Sequence, residues 1–123
     1  VAALLPAAQD DRPRRERILH VFRQMEAQSG TPEFHGCPYL AAQIELKNQN
    51  HPTSRVARQV KENLTGFFGA EAERGGANDP DLPARQLSLF FDGAAARAGI
   101  GADTLTGLVE PTVITLLDAA GMR

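Results

Sequence analysis

A single cysteine, Cys37, stands among 123 residues, so no intrachain disulfide framework can staple the chain and its stability must come from an apolar core. Tryptophan is absent, and the aromatic residues reduce to six Phe and one Tyr. Long apolar runs are missing as well. The greasiest N-terminal stretch, Val1 to Ala8, is broken by Pro6 and lacks a basic flank, so neither a membrane span nor a signal sequence is expected. Positive charge is not in excess: 13 Lys plus Arg face 15 Asp plus Glu, giving a formal net charge of -2 and a pI near 5.9. That balance excludes the broad basic face of a free-standing nucleic-acid binder. Internal repeats and low-complexity tracts are also lacking. A reducing, cytoplasmic setting fits these absences, and a first residue of Val suggests an excerpt of a longer protein.

What is present is ordinary globular material, 42% hydrophobic and 23% charged, in the length of one domain. Punctuation residues cut it into blocks of helical length. The first runs from about Pro13 to Ser29, with Asp10 and Asp11 as caps, Pro13 in the first turn and Gly30 as the stop. Its apolar residues Ile18, Val21, Phe22 and Met25 recur at three- and four-residue steps. Thr31 to Pro38 reads as a loop, followed by a short helix from about Pro38 to Leu46. Pro52, with Thr53 or Ser54 as cap, opens a long helix whose stripe is Val56, Val60, Leu64, Phe67 and Phe68, ended by Gly75 and Gly76. Asn78, Asp79 and Pro80 start the next, which carries Leu82, Leu87, Phe90, Phe91, Ala94 and Ala95 up to Gly99 and Gly101. In the last block Asp103 caps, but Gly107 and Pro111 interrupt, so a break or kink is expected near Glu110 in a helix that ends at Gly121. The reading is an all-α bundle of about five helices.

Candidate chemistry is sparse. His20, His35, His51 and Cys37 are the only imidazoles and the only thiol, yet none falls in a spacing that puts two ligands on one side of an ion, so neither a metal nor another cofactor is expected. Cys37 with His35 lacks an orienting third group, which makes a Cys-dependent enzyme the lesser alternative and a packed thiol the plain reading. Glu45, Glu62, Glu71 and Glu73 occupy polar helix positions and read as a solvated face. Arg12, Arg14, Arg15 and Arg17, diluted by Asp10, Asp11 and Glu16, read as a solvated helix start rather than a phosphate-binding cluster.

Apolar surplus is more informative. Phe22, Phe34, Tyr39 and Phe68 come from separate segments and could hold helices apart around a cavity. The helix bearing Leu82, Leu87, Leu89, Phe90, Phe91, Ala94 and Ala95 is too apolar to be covered by four others in so small a domain, and small residues at Gly93 to Ala96 permit close approach of a second copy.

Two stretches carry a family resemblance. Phe34-His35-Gly36-Cys37-Pro38-Tyr39-Leu40-Ala41-Ala42, with His51-Pro52 opening a helix soon after, resembles the C-terminal regulatory domain of TetR/AcrR-type transcriptional regulators, and Leu87-Ser88-Leu89-Phe90-Phe91-Asp92-Gly93-Ala94 resembles its penultimate helix. The resemblance implies a non-enzymatic homodimer that binds a small effector, apolar or aromatic by its lining. DNA would be held only through an N-terminal helix-turn-helix, for which there is no room before Pro13. Residues 1–12 would then be a connector and 13–123 the ligand-binding and dimerisation domain. The expected pocket lining is Phe22, Met25, Phe34, Cys37, Tyr39, Val60, Leu64 and Phe68; the expected interface is Leu87, Phe91, Ala94, Ala95, Leu105, Val109, Val113 and Leu116. The alternative from another class is a helical protein-interaction module with a filled core.

Overall fold

Apolar residues at helical spacing and a glycine or proline at each boundary give four helices in the computed structural model, which describes residues 5–31, 34, 51–102 and 104–123. They are α1 (Arg14–Ser29), α2 (Pro52–Arg74), α3 (Asp81–Gly99) and α4 (Val109–Ala119). The described residues contain no strand. Among the described residues there are four helices against an expectation of about five, and the short helix expected over Pro38 to Leu46 lies outside those residues, as does the expected cap Asp103.

α1 is the pivot, packing on α2, α3 and α4, while α2 and α3 form the most extensive pairing. One core joins them: Ile18, Val21, Phe22 and Met25 from α1, Leu64 and Phe68 from α2, Leu87, Phe91 and Ala95 from α3, and Val109, Val113 and Leu117 from α4. Fully burying each large side chain contributes about 1.5–3 kcal/mol. The aromatic centre is made by Phe22, whose ring stacks on Phe68 at 5.5 Å and Phe90 at 5.8 Å and meets Phe91 edge-on at 5.8 Å.

The helix starts differ in detail from the sequence pattern. Pro13 is the N-cap of α1 and no side chain caps it; the Asp10 carboxylate is engaged instead by Arg12. α2 is capped by His51, whose Nδ1 accepts the Thr53 amide at 3.2 Å, rather than by Thr53 or Ser54. On α2 the expected stripe is shifted: Leu64 and Phe68 are buried, Val60 and Phe67 are half-buried, and Val56 is exposed, with Ala57, Glu71 and Ala72 inside instead.

The expected break near Glu110 is resolved by moving the helix start. α4 begins at Val109, so Pro111 sits in the first turn, where its missing N–H has no intrahelical partner to lose. Gly107, at φ +77°, turns the chain just before. The opposite end closes on Gly121 at φ +76°, where the Met122 amide reaches the Leu117 carbonyl at 3.1 Å and the Gly121 amide reaches Asp118 at 3.0 Å. That left-handed closure requires glycine and folds Met122 back into the core.

Candidate functional site

Two places on this frame bear on function. The first is where the N-terminal segment, the C-terminal turn of α2 and the chain's last residues converge. Glu71 lies on the buried side of α2, 1% exposed, and accepts from two arginines of α1: Arg17 Nε to Oε1 at 2.9 Å and Arg14 Nη1 to Oε2 at 3.0 Å. Arg17 is itself buried, and its Nη1 donates to the carbonyls of Ala7 at 2.9 Å and Asp10 at 2.7 Å. Arg15 reaches Asp118 at 2.6 Å and the Met122 carbonyl at 3.3 Å, and the Arg123 amide donates to Gly75 at 2.9 Å. The arginine cluster expected to be a solvated helix start is thus spent on specific carboxylates. Glu71, expected on a polar face, is deeply buried because it falls on the same side of α2 as Leu64, Phe68 and Ala72. A charge at that spacing on an apolar stripe was the available signal.

Asp10 belongs to the same turn. The Arg12 side chain holds its carboxylate bidentately, with help from the Arg12 amide, and lowers its pKa from the ordinary 3.8 to about 2. A carboxyl with a depressed folded pKa favours the folded turn above the ordinary value and loses that contribution as pH falls through about 2. Carboxyl titration by NMR is expected to place Asp10 near 2 and to bring it back toward 3.8 in Arg12→Ala. An Asp10 midpoint near 3.8 in the unsubstituted chain would contradict the bidentate turn.

The second place is the outer face of α3 and of the connection that leads to α4. Leu89 is 76% exposed, and Leu82, Ile100 and Leu108 are also exposed along α3 and its connection to α4. Leu89, Phe90, Gly93, Ala94, Arg97, Leu105 and Leu108 enclose an open, largely apolar groove of about 240 Å³. A Cβ added at Gly93 would meet nothing within 4 Å, so this point on the helix is bare backbone.

The expected site residues divide accordingly. Of the interface set, Leu87, Phe91, Ala94, Ala95, Leu105, Val109 and Val113 are buried in the chain's own core, and Leu116 is half-buried. They are covered from within because α1 packs across both α3 and α4. Ala94 and Leu105 still reach the groove from beneath. Absent from that set are Leu89, whose position out of phase with the buried stripe of α3 marks it as outer face, and Leu108, which lies just before α4. Of the pocket set, Phe22, Met25, Leu64 and Phe68 are brought together in the core; Phe34 is half-buried against it and Val60 is half-buried on α2. Cys37 and Tyr39, like His35, lie outside the described residues. Among the described residues no group of three or more His, Cys, Asp or Glu could hold a metal ion, and no helix is long and apolar enough to cross a membrane.

Fold and site together define an all-α bundle whose N-terminal segment is pinned by a buried ion pair and whose outer face along α3 and the connection after it is apolar. No family model and no curated protein matches the chain. It is similar, at 67% identity and a TM-score of 0.97, to a protein assigned as a TetR-type transcriptional regulator, sav143 of Streptomyces avermitilis MA-4680, solved by crystallography at 2.10 Å. The similarity covers 100% of this chain and 67% of the solved one. The chain belongs to the TetR family of transcriptional regulators.

Proposed function

We propose that this chain is the effector-binding and dimerisation part of a TetR-type regulator, controlling DNA binding by an N-terminal helix-turn-helix part that precedes it and acting in the cytoplasm. The relative's greater length supports such a division, since the chain spans 67% of it. An apolar or aromatic effector binds against Phe22, Met25, Phe34, Val60, Leu64 and Phe68, with Cys37 and Tyr39 contributing to the same pocket. A ligand that prefers one arrangement of the helices shifts DNA affinity by linkage and needs no catalytic group.

The observation that carries the assembly half is the exposed apolar groove on α3 and the connection that follows it, lined by Leu89 with bare backbone at Gly93. A second copy related by a two-fold axis brings the same groove to both sides of the contact, and Gly93 allows the backbones to approach. Leu89, Phe90, Leu108 and Leu116 make the contact, while the buried Leu87, Phe91, Val109 and Val113 hold it in shape from beneath. Leu89→Glu places two carboxylates in the apolar contact and is expected to weaken self-association about a hundredfold or more with unchanged helicity. Sedimentation at micromolar concentration checks this: dimer for the unsubstituted chain, monomer for the variant. A monomer in both cases removes the assembly half of the reading.

A further inference from the structure

Arg17 has two jobs that no surface arginine could combine. Its Nε is held by the buried Glu71 of α2, while its Nη1 bridges the carbonyls of Ala7 and Asp10 in the N-terminal segment. Its guanidinium carbon also lies 5.9 Å from the centre of the Phe67 ring. Phe67 meets Phe68 edge-on at 5.9 Å, and Phe68 stacks on Phe22. A continuous line of contact therefore runs from the aromatic centre, through Phe67 and Arg17, to the backbone of residues 7–10.

We propose that Arg17 and Glu71 form an anchor that sets the path of the N-terminal segment relative to α2, so that displacement of Phe67 and Phe68 is passed to whatever precedes that segment. The meaning of the relay rests on the reading above, in which the DNA-binding part lies upstream and the effector sits against Phe22 and Phe68. The anchor itself rests on geometry alone. Both Nη1 contacts are short and directed at backbone carbonyls, which cannot adopt a new path without breaking them. Guanidinium chemistry is essential. A lysine ammonium is one nitrogen at the end of a flexible stem and cannot face the carboxylate and both carbonyls with separate nitrogens.

Two variants of the full regulator test this. Arg17→Lys keeps the charge opposite Glu71 and loses the fork; Arg17→Met combined with Glu71→Met removes the anchor and leaves no orphaned charge, so the core is expected to survive. Amide hydrogen exchange reads the Asp10 and Arg12 amides, which donate to the Ala7 carbonyl and the Asp10 side chain in this turn. Both are expected to exchange about tenfold faster in each variant while α3 and α4 amides keep their rates. In parallel, binding to genomic DNA fragments selected by the unsubstituted regulator is expected to weaken about tenfold. Unchanged Asp10 and Arg12 exchange in both variants overturns the anchor, as does uniform acceleration through α3 and α4, which would show a merely structural role. Faster exchange with unaltered DNA affinity overturns the relay. If the unsubstituted regulator selects no DNA, the regulator reading fails, and the exchange data still decide the anchor.

Discussion

Phe22→Ala is expected to remove about 3–5 kcal/mol of stability, a large share of the total for a domain of this size. The ring is 1% exposed and touches Phe68, Phe90 and Phe91, which come from two other helices. Truncation forfeits its transfer free energy and leaves a void at the point where α1, α2 and α3 meet. Collapse into that void would require three helices to move together, and interiors packed side chain on side chain do not relax so freely. Phe22→Leu, which refills part of the volume, is expected to cost less than half as much. Urea unfolding checks both: the midpoint should fall in the order of volume removed, with the slope unchanged. A loss below about 1 kcal/mol for the alanine variant would mean that the aromatic centre is not tightly packed.

Glu71→Ala is expected to be nearly as damaging, at about 3–5 kcal/mol, for an electrostatic reason. The substitution deletes a buried acceptor and leaves Arg17, itself buried, with its charge unanswered on the side facing α2. Arg14 is 40% exposed at its side chain and can turn to water, so it adds little to the loss. By contrast, replacing both Arg17 and Glu71 with Met exchanges the pair for apolar volume and is expected to stay within about 1–2 kcal/mol of the unsubstituted chain. The signature is therefore strong non-additivity: the double variant should be more stable than the single Glu71→Ala. Equal, small losses in both would place the pair among ordinary surface ion pairs. Those are represented here by Arg15 with Asp118 and Arg23 with Glu16 and Glu110, whose partners are solvated on at least one side.

The helices themselves are legible in the amino-acid order because their signals are local. Ile18, Val21, Phe22 and Met25 repeat at helical spacing, and Gly76 and Gly121, at φ +84° and +76°, close helices where the turn geometry favours glycine. Pro111 marks the interruption within a residue or two but not which side of it is helical. Sequence marks where a proline cannot continue a helix, but the same residue is harmless in a first turn, and only the position of the α4 start distinguishes the two. Thr112 to Leu117 has strand-like composition and is helical, since α1 and α3 supply an apolar surface for a helix there.

The candidate sites were legible to different degrees. That Leu87, Phe91, Ala94 and Ala95 form one apolar stripe is a matter of period, but whether that stripe meets α1 or a second copy depends on which helix lies across it. The stripe turned inward, leaving Leu89 and Leu108 as the outer apolar pair. Arg17 and Glu71 are separated by 54 residues, and no local rule links them.

Sequence by itself determined the helical class, the main helix boundaries and the identity of the aromatic residues that fill the centre, because backbone propensity and apolar period act over a few residues. Tertiary structure alone decided which face of α3 is spent inside the chain, and that a buried glutamate gathers two arginines to hold the N-terminal segment. Those outcomes depend on distances between elements remote along the chain, where desolvation and directional hydrogen bonding are set by packing and not by neighbouring residues.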